Sequence, residues 1–207
     1  MAGMSWLPNA VTIARCVLAI IVGYAILDMD TAIRAIRESG PWLYIPFAVF
    51  LVTAATDWLD GALARGLDAE SSLGARLDPI ADKLLTASSL LALCYIEGWA
   101  LYIAAPAVAI IGRDFLLTAM REALGNPSTL KVSRAAKWKT ATALSSIGCL
   151  LFGMAISYQA SAAEAVEPLW LVTRGFLAIG IAGLWITAVL SVITAVDYLS
   201  AAARDSR

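Results

Sequence analysis

Four aspartates stand beside long apolar runs in the segment 57-DWLDGALARGLDAESSLGARLDPIAD-82. Asp57 and Asp60 are three residues apart, and Asp78 and Asp82 are four residues apart. Residues three or four apart in an α-helix lie on one face, so each pair places two carboxylates on the same side of a helix. A short turn between the two helices makes them antiparallel neighbours. The spacing therefore predicts that all four carboxylates converge on one point.

The composition of the chain is that of a membrane protein. Of its 207 residues 60% are hydrophobic and only 15% are charged, and the mean hydropathy is +0.78. Soluble domains are nearer half apolar and a quarter charged. The formal net charge of −1 argues against a nucleic-acid partner bound through bulk basicity. The chain contains no histidine, which excludes histidine general bases and histidine-ligated zinc.

Six segments are long and apolar enough to cross a membrane, which takes about 20 residues for about 30 Å of hydrocarbon. Each must be helical, because lipid cannot satisfy an exposed backbone polar group. The predicted spans are 9–27, 42–65, 72–96, 99–122, 137–158 and 168–199. Connectors are short and no internal repeat is evident. We therefore predict an all-α integral membrane protein, a six-transmembrane-helix bundle that forms a single domain over residues 1–207.

The basic residues indicate how the bundle is oriented. With six spans both termini lie on one side, and twelve of the 15 basic residues lie nearer that side. The three exceptions are Arg34, Arg37 and Arg174. The positive-inside rule then predicts cytoplasmic N- and C-termini and a cytoplasmic aspartate segment. The lack of a transit-peptide pattern favours a bacterial plasma membrane over a mitochondrial one.

Four carboxylates at membrane depth need compensating positive charge, since each costs about 2.5–3.5 kcal/mol on insertion scales. Lys83 and Arg65 flank the cluster but supply only two charges. Two divalent cations supply four, and an all-oxygen ligand set points to Mg²⁺ or Mn²⁺ rather than zinc. Two such ions are an established arrangement for displacement at phosphorus. Arg65 is placed to meet a phosphate, with an ordinary interfacial arginine as the alternative.

Small residues accompany the aspartates at Gly61, Ala64 and Gly74. They leave room for a bulky group, although small residues also let membrane helices pack closely.

The pattern DxxDGxxARx₈GxxxDxxxD over 57–82 resembles the signature of the CDP-alcohol phosphotransferase family at every fixed position. The resemblance implies a six-helix, usually homodimeric membrane enzyme. Such enzymes transfer a phosphatidyl or other phosphoalcohol group from a CDP-linked donor to an acceptor hydroxyl and release CMP. It also implies two metal ions held by Asp57, Asp60, Asp78 and Asp82, with Asp82 as the base that takes the acceptor's proton.

The resemblance further implies which residues contact the CDP group of the donor. They are Gly61, Ala64, Arg65, Ser71 and Gly74, together with Asn9 and Thr12 on the first helix. For Asn9 and Thr12 the alternative is a role in capping that helix.

Two further segments resemble phosphatidylglycerophosphate synthases and the related cardiolipin synthases. They are 5-SWLPNAVTIAR-15 and 112-GRDFLLTAMREAL-124, the latter followed by 133-SRAAKWKTATAL-144. Asp114 and Ala136 depart from the usual glutamate and glycine. The resemblance implies CDP-diacylglycerol as donor and sn-glycerol 3-phosphate as acceptor. A cardiolipin synthase using phosphatidylglycerol and an inositol-phosphate-using synthase remain alternatives within the family.

A basic group suits a phosphorylated acceptor. Arg113 lies well inside the fourth predicted span, a costly position without a partner. Together with Arg121, Lys137 and Lys139 it could line a pocket for a phosphomonoester. The alternatives are pairing of Arg113 with Asp114 or another helix, and contact of the lysines with anionic lipid headgroups.

A different class, a cation or proton transporter, would use the aspartates as a relay. Against it, all four lie at one end of the spans, and no interrupted helix pair occurs at mid-membrane.

Overall fold

The computed structural model describes residues 7–36, 40–67, 74–123, 134–162 and 167–205. Within these ranges it describes the side chains of 12–31, 40–56, 80, 83–120, 138–162 and 167–196. The described residues form six α-helices and one short 3₁₀ turn and contain no strand.

Each predicted span corresponds to one helix. The helices are α1 (Leu7–Ile36), α2 (Ile45–Leu67), α3 (Gly74–Ile96), α4 (Leu101–Ala123), α5 (Arg134–Ala162) and α6 (Glu167–Asp205), with the 3₁₀ turn at Pro41–Tyr44. The largest differences are at the ends of α1 and α6, which extend to Ile36 and Asp205 rather than to 27 and 199. The apolar run marks only the part of each helix suited to hydrocarbon, while polar helix-forming residues continue it beyond.

Four helices contain stretches long and apolar enough to cross a membrane: Thr12–Thr31, Leu101–Met120, Trp138–Ala162 and Glu167–Val196. Their outward faces carry large exposed apolar side chains, such as Ile20 on α1 and Ile186 on α6, which suit contact with lipid. The described apolar stretches at the other two helices are shorter. They are Pro41–Thr56, which includes the 3₁₀ turn before α2, and Lys83–Ile96 of α3. The acidic segment occupies the remainder of these two helices, so a six-span arrangement stays a prediction.

The connection between α3 and α4 is short, with four residues (97–100) where the predicted spans left two (97–98). Gly98 and Trp99 both have left-handed backbone conformations, with φ of 61° and 59°. The Trp99 N–H donates to the Cys94 carbonyl at 2.7 Å, which satisfies a carbonyl at the end of α3. A positive φ is rare for a bulky residue, so this turn reverses the chain in minimal length at some local cost.

Helix packing is closest where small residues face a neighbouring helix. Helices α5 and α6 form the most extensive pair among the described residues, followed by α1 and α3. A Cβ atom built on Gly180 of α6 would lie 2.6 Å from Cγ of Leu150 and 3.0 Å from the Ser146 carbonyl oxygen of α5. The same close approach occurs at Gly23 of α1, where a Cβ would lie 3.2 Å from Ser88 Cβ of α3. Glycine at these positions lets the backbones approach.

Gly180→Ala should therefore lower the melting temperature of the detergent-purified protein, because an added methyl group overpacks the α5–α6 contact. Overpacking typically costs about 1–3 kcal/mol. Gly175→Ala on the same helix is the matched control, since among the described residues no atom outside its own helix backbone lies within 4 Å of a Cβ built there. We expect the control to melt at the wild-type temperature or slightly above, because alanine favours helix more than glycine. Equal melting temperatures for the two variants would contradict this description of the interface.

Candidate active site

The acidic motif lies on two consecutive helices. Asp57 and Asp60 occupy the C-terminal part of α2, and Asp78 and Asp82 occupy the N-terminal part of α3. Each pair lies within a continuous helix, as the spacing requires. The four carboxylates lie outside the described side chains, so their convergence stays a prediction. Helix α3 begins at Gly74 in the described residues and includes Pro79 within its first two turns.

The positions predicted to contact the donor divide in the same way. Gly61, Ala64 and Arg65 fall in α2, and Gly74 is the first described residue of α3. Ser71 lies outside the described residues. On α1, the Asn9 side chain lies outside the description, whereas Thr12 is described and buried.

Helix α1 contacts both acidic helices, since it packs along α3 and against α2. The Ser88 hydroxyl of α3 donates to the Ala19 carbonyl of α1 at 2.6 Å. Arg15, predicted only as a basic residue near the cytoplasmic face, is buried on the same helix as Thr12. Within the described residues the first helix therefore contacts both helices that carry the aspartates.

The predicted basic group is partly described, and two of its members meet at one carboxylate. Arg113 Nη1 lies 2.9 Å from Oδ1 of Asp114, and Lys139 Nζ also donates to that oxygen. Arg113 Nη2 donates to the Thr194 hydroxyl of α6 at 3.0 Å. The pairing of Arg113 with Asp114 and with another helix, considered above as an alternative, is thus present. Arg121 is in α4 and Lys137 is in α5, but their side chains lie outside the described residues.

These polar groups are largely removed from solvent. The side chains of Arg113, Asp114 and Lys139 are 17%, 14% and 7% exposed. A buried ion pair depends on good geometry and on further hydrogen bonds to offset the loss of hydration. Asp114 meets this requirement by joining cations from α4 and α5, while Thr194 adds a contact from α6.

A second chain of hydrogen bonds connects this cluster to α3. Lys83, which directly follows Asp82, donates to the Thr118 hydroxyl, and Thr118 donates to the Asp114 carbonyl at 2.7 Å. A small cavity lies between α3 and α4 here, lined by Lys83, Thr86, Ala87, Ile110, Ile111, Asp114 and Phe115. The residue beside the predicted base is therefore linked to the predicted acceptor group.

Sequence patterns missed part of this network. Thr118 and Thr194 lie in apolar helices. In sequence they look like the many threonines whose hydroxyl bonds only to a carbonyl of its own helix. A signal existed for Asp114, because an Arg-Asp pair inside a predicted span requires compensation, but nothing indicated that Lys139 shares the same oxygen.

The donor set of the acidic motif fits hard divalent cations, because it offers four carboxylates in two pairs on helices that share a packing partner. Among the described side chains, no group of three or more histidine, cysteine, aspartate or glutamate residues could hold a metal ion. The predicted metal ligands lie outside that set.

Comparison with known proteins places the chain in a family. Residues 5–196 match the CDP-alcohol phosphatidyltransferase family. A CDP-diacylglycerol–glycerol-3-phosphate 3-phosphatidyltransferase of Cereibacter sphaeroides is 31% identical over 226 residues, covering 94% of this chain and 95% of the relative. The enzyme of the same name from Pectobacterium atrosepticum is 33% identical over 174 residues, covering 78% and 85%.

A cardiolipin synthase (CMP-forming) of rice, Oryza sativa subsp. japonica, is 32% identical over 206 residues. The match covers 93% of this chain but only 56% of the rice protein. The family match extends over nearly the whole chain and includes both the acidic motif and the basic cluster, and the chain therefore belongs to the CDP-alcohol phosphatidyltransferase family.

Proposed function

We propose that this protein transfers a phosphatidyl group from CDP-diacylglycerol to sn-glycerol 3-phosphate, giving phosphatidylglycerophosphate and CMP. The observation that carries the choice of acceptor is the meeting of Arg113 and Lys139 at a buried position linked to the residue after Asp82. Relatives named for this reaction, matched over most of their length, support the same choice.

Helices α1, α2 and α3 bind the CDP-diacylglycerol donor in this proposal. We assign Asp57, Asp60, Asp78 and Asp82 as ligands of two divalent cations, Mg²⁺ or Mn²⁺. When bound, these ions polarise the pyrophosphate and stabilise negative charge on the departing CMP. The CDP group would lie against the small residues and Arg65 of α2, with the start of α3 and Thr12 of α1 beside it.

The chemical step is an in-line displacement at phosphorus. Asp82 takes the proton of the glycerol 3-phosphate hydroxyl as that oxygen bonds to the β-phosphorus of CDP-diacylglycerol, and the bond from that phosphorus to the CMP oxygen breaks. A carboxylate is a weak base, so the step depends on close alignment of the attacking hydroxyl.

Helices α4 and α5 bind the phosphate of the acceptor in this proposal. A phosphomonoester carries a charge of about −1.5 to −2 at pH 7. Arginine binds phosphate in a planar, bidentate manner and lysine as a point charge, so Arg113 and Lys139 supply both kinds of contact. We assign Arg121 and Lys137 to the same group because they lie on the same two helices.

A second candidate acceptor is phosphatidylglycerol, which is favoured by the similarity to the rice cardiolipin synthase. An acceptor that is already a phospholipid needs less concentrated positive charge and more lateral access from the bilayer. The burial of Lys139 and Arg113 among three helices argues for the smaller, phosphorylated acceptor.

We also propose that all six helices cross a bacterial plasma membrane, that both termini and the active site face the cytoplasm, and that the protein is a homodimer. The clustering of twelve of the 15 basic residues on one side supports this orientation.

The acceptor assignment is tested by CMP release from CDP-diacylglycerol in detergent with Mg²⁺ or Mn²⁺ and one acceptor at a time. We expect release with glycerol 3-phosphate and little with phosphatidylglycerol, because the buried cations match a small phosphomonoester. Inositol 1-phosphate is also a phosphomonoester, and we expect little release with it because the relatives matched over most of their length are named for glycerol 3-phosphate. Release with phosphatidylglycerol alone would identify a cardiolipin synthase and overturn the proposed acceptor.

The same assay tests the proposed base. Asp82→Asn should lower kcat about 10²–10⁴-fold, the usual contribution of a positioned general base, or more if metal binding is lost as well. Asp28→Asn is the matched control, because Asp28 is exposed on α1. A kcat near wild type for Asp82→Asn would show that Asp82 is not the base.

The orientation is tested by labelling single cysteines with a membrane-impermeant maleimide in intact cells, in a background where Cys16, Cys94 and Cys149 are replaced. Ser206→Cys should label only after permeabilisation, because the C-terminus is cytoplasmic, while Ala163→Cys in the α5–α6 connection should label directly. The reverse pattern would refute the proposed topology.

A further inference from the structure

We propose that Asp114 is a positioning residue for the acceptor, holding Arg113 and Lys139 in the geometry that binds its phosphate. The proposal rests on the proposed function, since it specifies how the acceptor site of that reaction is built. Asp114 does not contact the acceptor in this proposal but acts through the two cations.

A single oxygen fixes both cations. Oδ1 of Asp114 accepts from Nη1 of Arg113 at 2.9 Å and from Nζ of Lys139. Hydrogen bonds between charged groups are shorter and stronger than neutral ones, and these lie where little water competes. The two cations come from different helices, α4 and α5, and would repel each other without the carboxylate. Asp114 therefore determines how closely the guanidinium and the ammonium approach.

The guanidinium of Arg113 is also held on its other side. Nη2 donates to Oγ1 of Thr194 at 3.0 Å, and Thr194 donates in turn to the Leu190 and Ser191 carbonyls of its own helix. The Thr194 hydroxyl proton is thus directed away from Arg113, and its lone pair faces the guanidinium. The position of Arg113 is consequently set by Asp114 on its own helix and by Thr194 on α6.

One nitrogen of Arg113, Nε, is left for a ligand. Nε is buried and has no hydrogen-bond acceptor among the described residues. A buried donor without an acceptor is unfavourable, and a phosphate oxygen is an acceptor of suitable charge. Asp114 and Thr194 each accept one N–H of a terminal nitrogen, so Nε–H and the second N–H of each terminal nitrogen are the donors left for a phosphate.

The net charge of the cluster still attracts an anion. Arg113 and Lys139 together carry +2 and Asp114 carries −1, which leaves +1. Asp114 thus has two opposing effects, since it weakens the attraction for phosphate and orders the groups that bind it. If the ordering effect is larger, removing the carboxylate weakens binding of the acceptor. If Asp114 is merely a counter-ion that competes with phosphate, its removal strengthens binding.

The test is the Michaelis constant of each substrate in Asp114→Asn, measured by CMP release from the purified full-length protein. We expect the KM for glycerol 3-phosphate to rise about tenfold or more, which corresponds to at least about 1.4 kcal/mol. The KM for CDP-diacylglycerol should change less than about twofold, because the donor is bound by α1, α2 and α3. Asp114→Glu should recover most of the acceptor affinity, because it keeps a carboxylate.

Two threonine variants of α6 form a matched pair. Thr194→Val removes the hydrogen bond to Arg113 without changing charge and should raise the KM for glycerol 3-phosphate about threefold. Thr173→Val is the control, because Thr173 is also buried and, within the described part of the chain, donates to the Leu169 carbonyl of its own helix and to no other helix. It should leave both Michaelis constants unchanged. Melting temperatures of all variants separate these effects from loss of folded protein.

An unchanged or lower KM for glycerol 3-phosphate in Asp114→Asn would overturn the proposal, as would equal rises for both substrates. If Asp114→Asn does not fold, the test is the ratio of the KM for glycerol 3-phosphate to the KM for CDP-diacylglycerol in Thr194→Val. A ratio equal to that of Thr173→Val would overturn the proposal. Failure of the proposed function is distinguishable, because the wild-type protein would then release no CMP with glycerol 3-phosphate.

Discussion

A charge inside an apolar helix bundle must meet an opposite charge, and the polar architecture of this protein depends on that requirement. On α4 this requirement is met within the chain, because one carboxylate oxygen of Asp114 pairs with both Arg113 and Lys139. Breaking such a buried pair by removing one partner typically costs about 3–5 kcal/mol, because the other charge is left unpaired. On α2 and α3 the four aspartates outnumber nearby basic residues, and the proposed solution is a pair of divalent cations.

The two charge clusters divide the proposed chemistry between two sides of the bundle. In the proposed reaction the acidic side would bind the nucleotide donor and the basic side the phosphorylated acceptor, with the reacting phosphorus between them. The Lys83–Thr118–Asp114 hydrogen bonds connect the sides directly. Since displacement at phosphorus is sensitive to alignment, hydrogen bonds between the helix of the proposed base and the proposed acceptor site would favour the reaction.

Much of the fold could be predicted from the sequence because membrane helices follow simple rules of length and hydropathy. All six helices were located, and the errors lay at ends such as Ile36 and Asp205, where polar residues continue a helix that hydropathy ends. The acidic motif was found because fixed spacing on a helix is visible in sequence. The pairing of Arg113 with Asp114 or another helix was considered as an alternative, but the shared contact of Lys139 was not predicted, because contacts between α4, α5 and α6 depend on helix rotation and packing. Those are set by residues such as Gly180, whose role appears only when its neighbour Leu150 is known.

The decisive measurement is electron paramagnetic resonance of the purified protein titrated with Mn²⁺. If Asp57, Asp60, Asp78 and Asp82 form one site, each chain should bind two Mn²⁺ ions, and the spectrum should show the magnetic coupling of ions a few ångström apart. Asp60→Asn and Asp78→Asn should each abolish that coupling. Binding of a single ion, or of two ions without coupling, would contradict the proposal that the four aspartates converge to hold a two-metal centre.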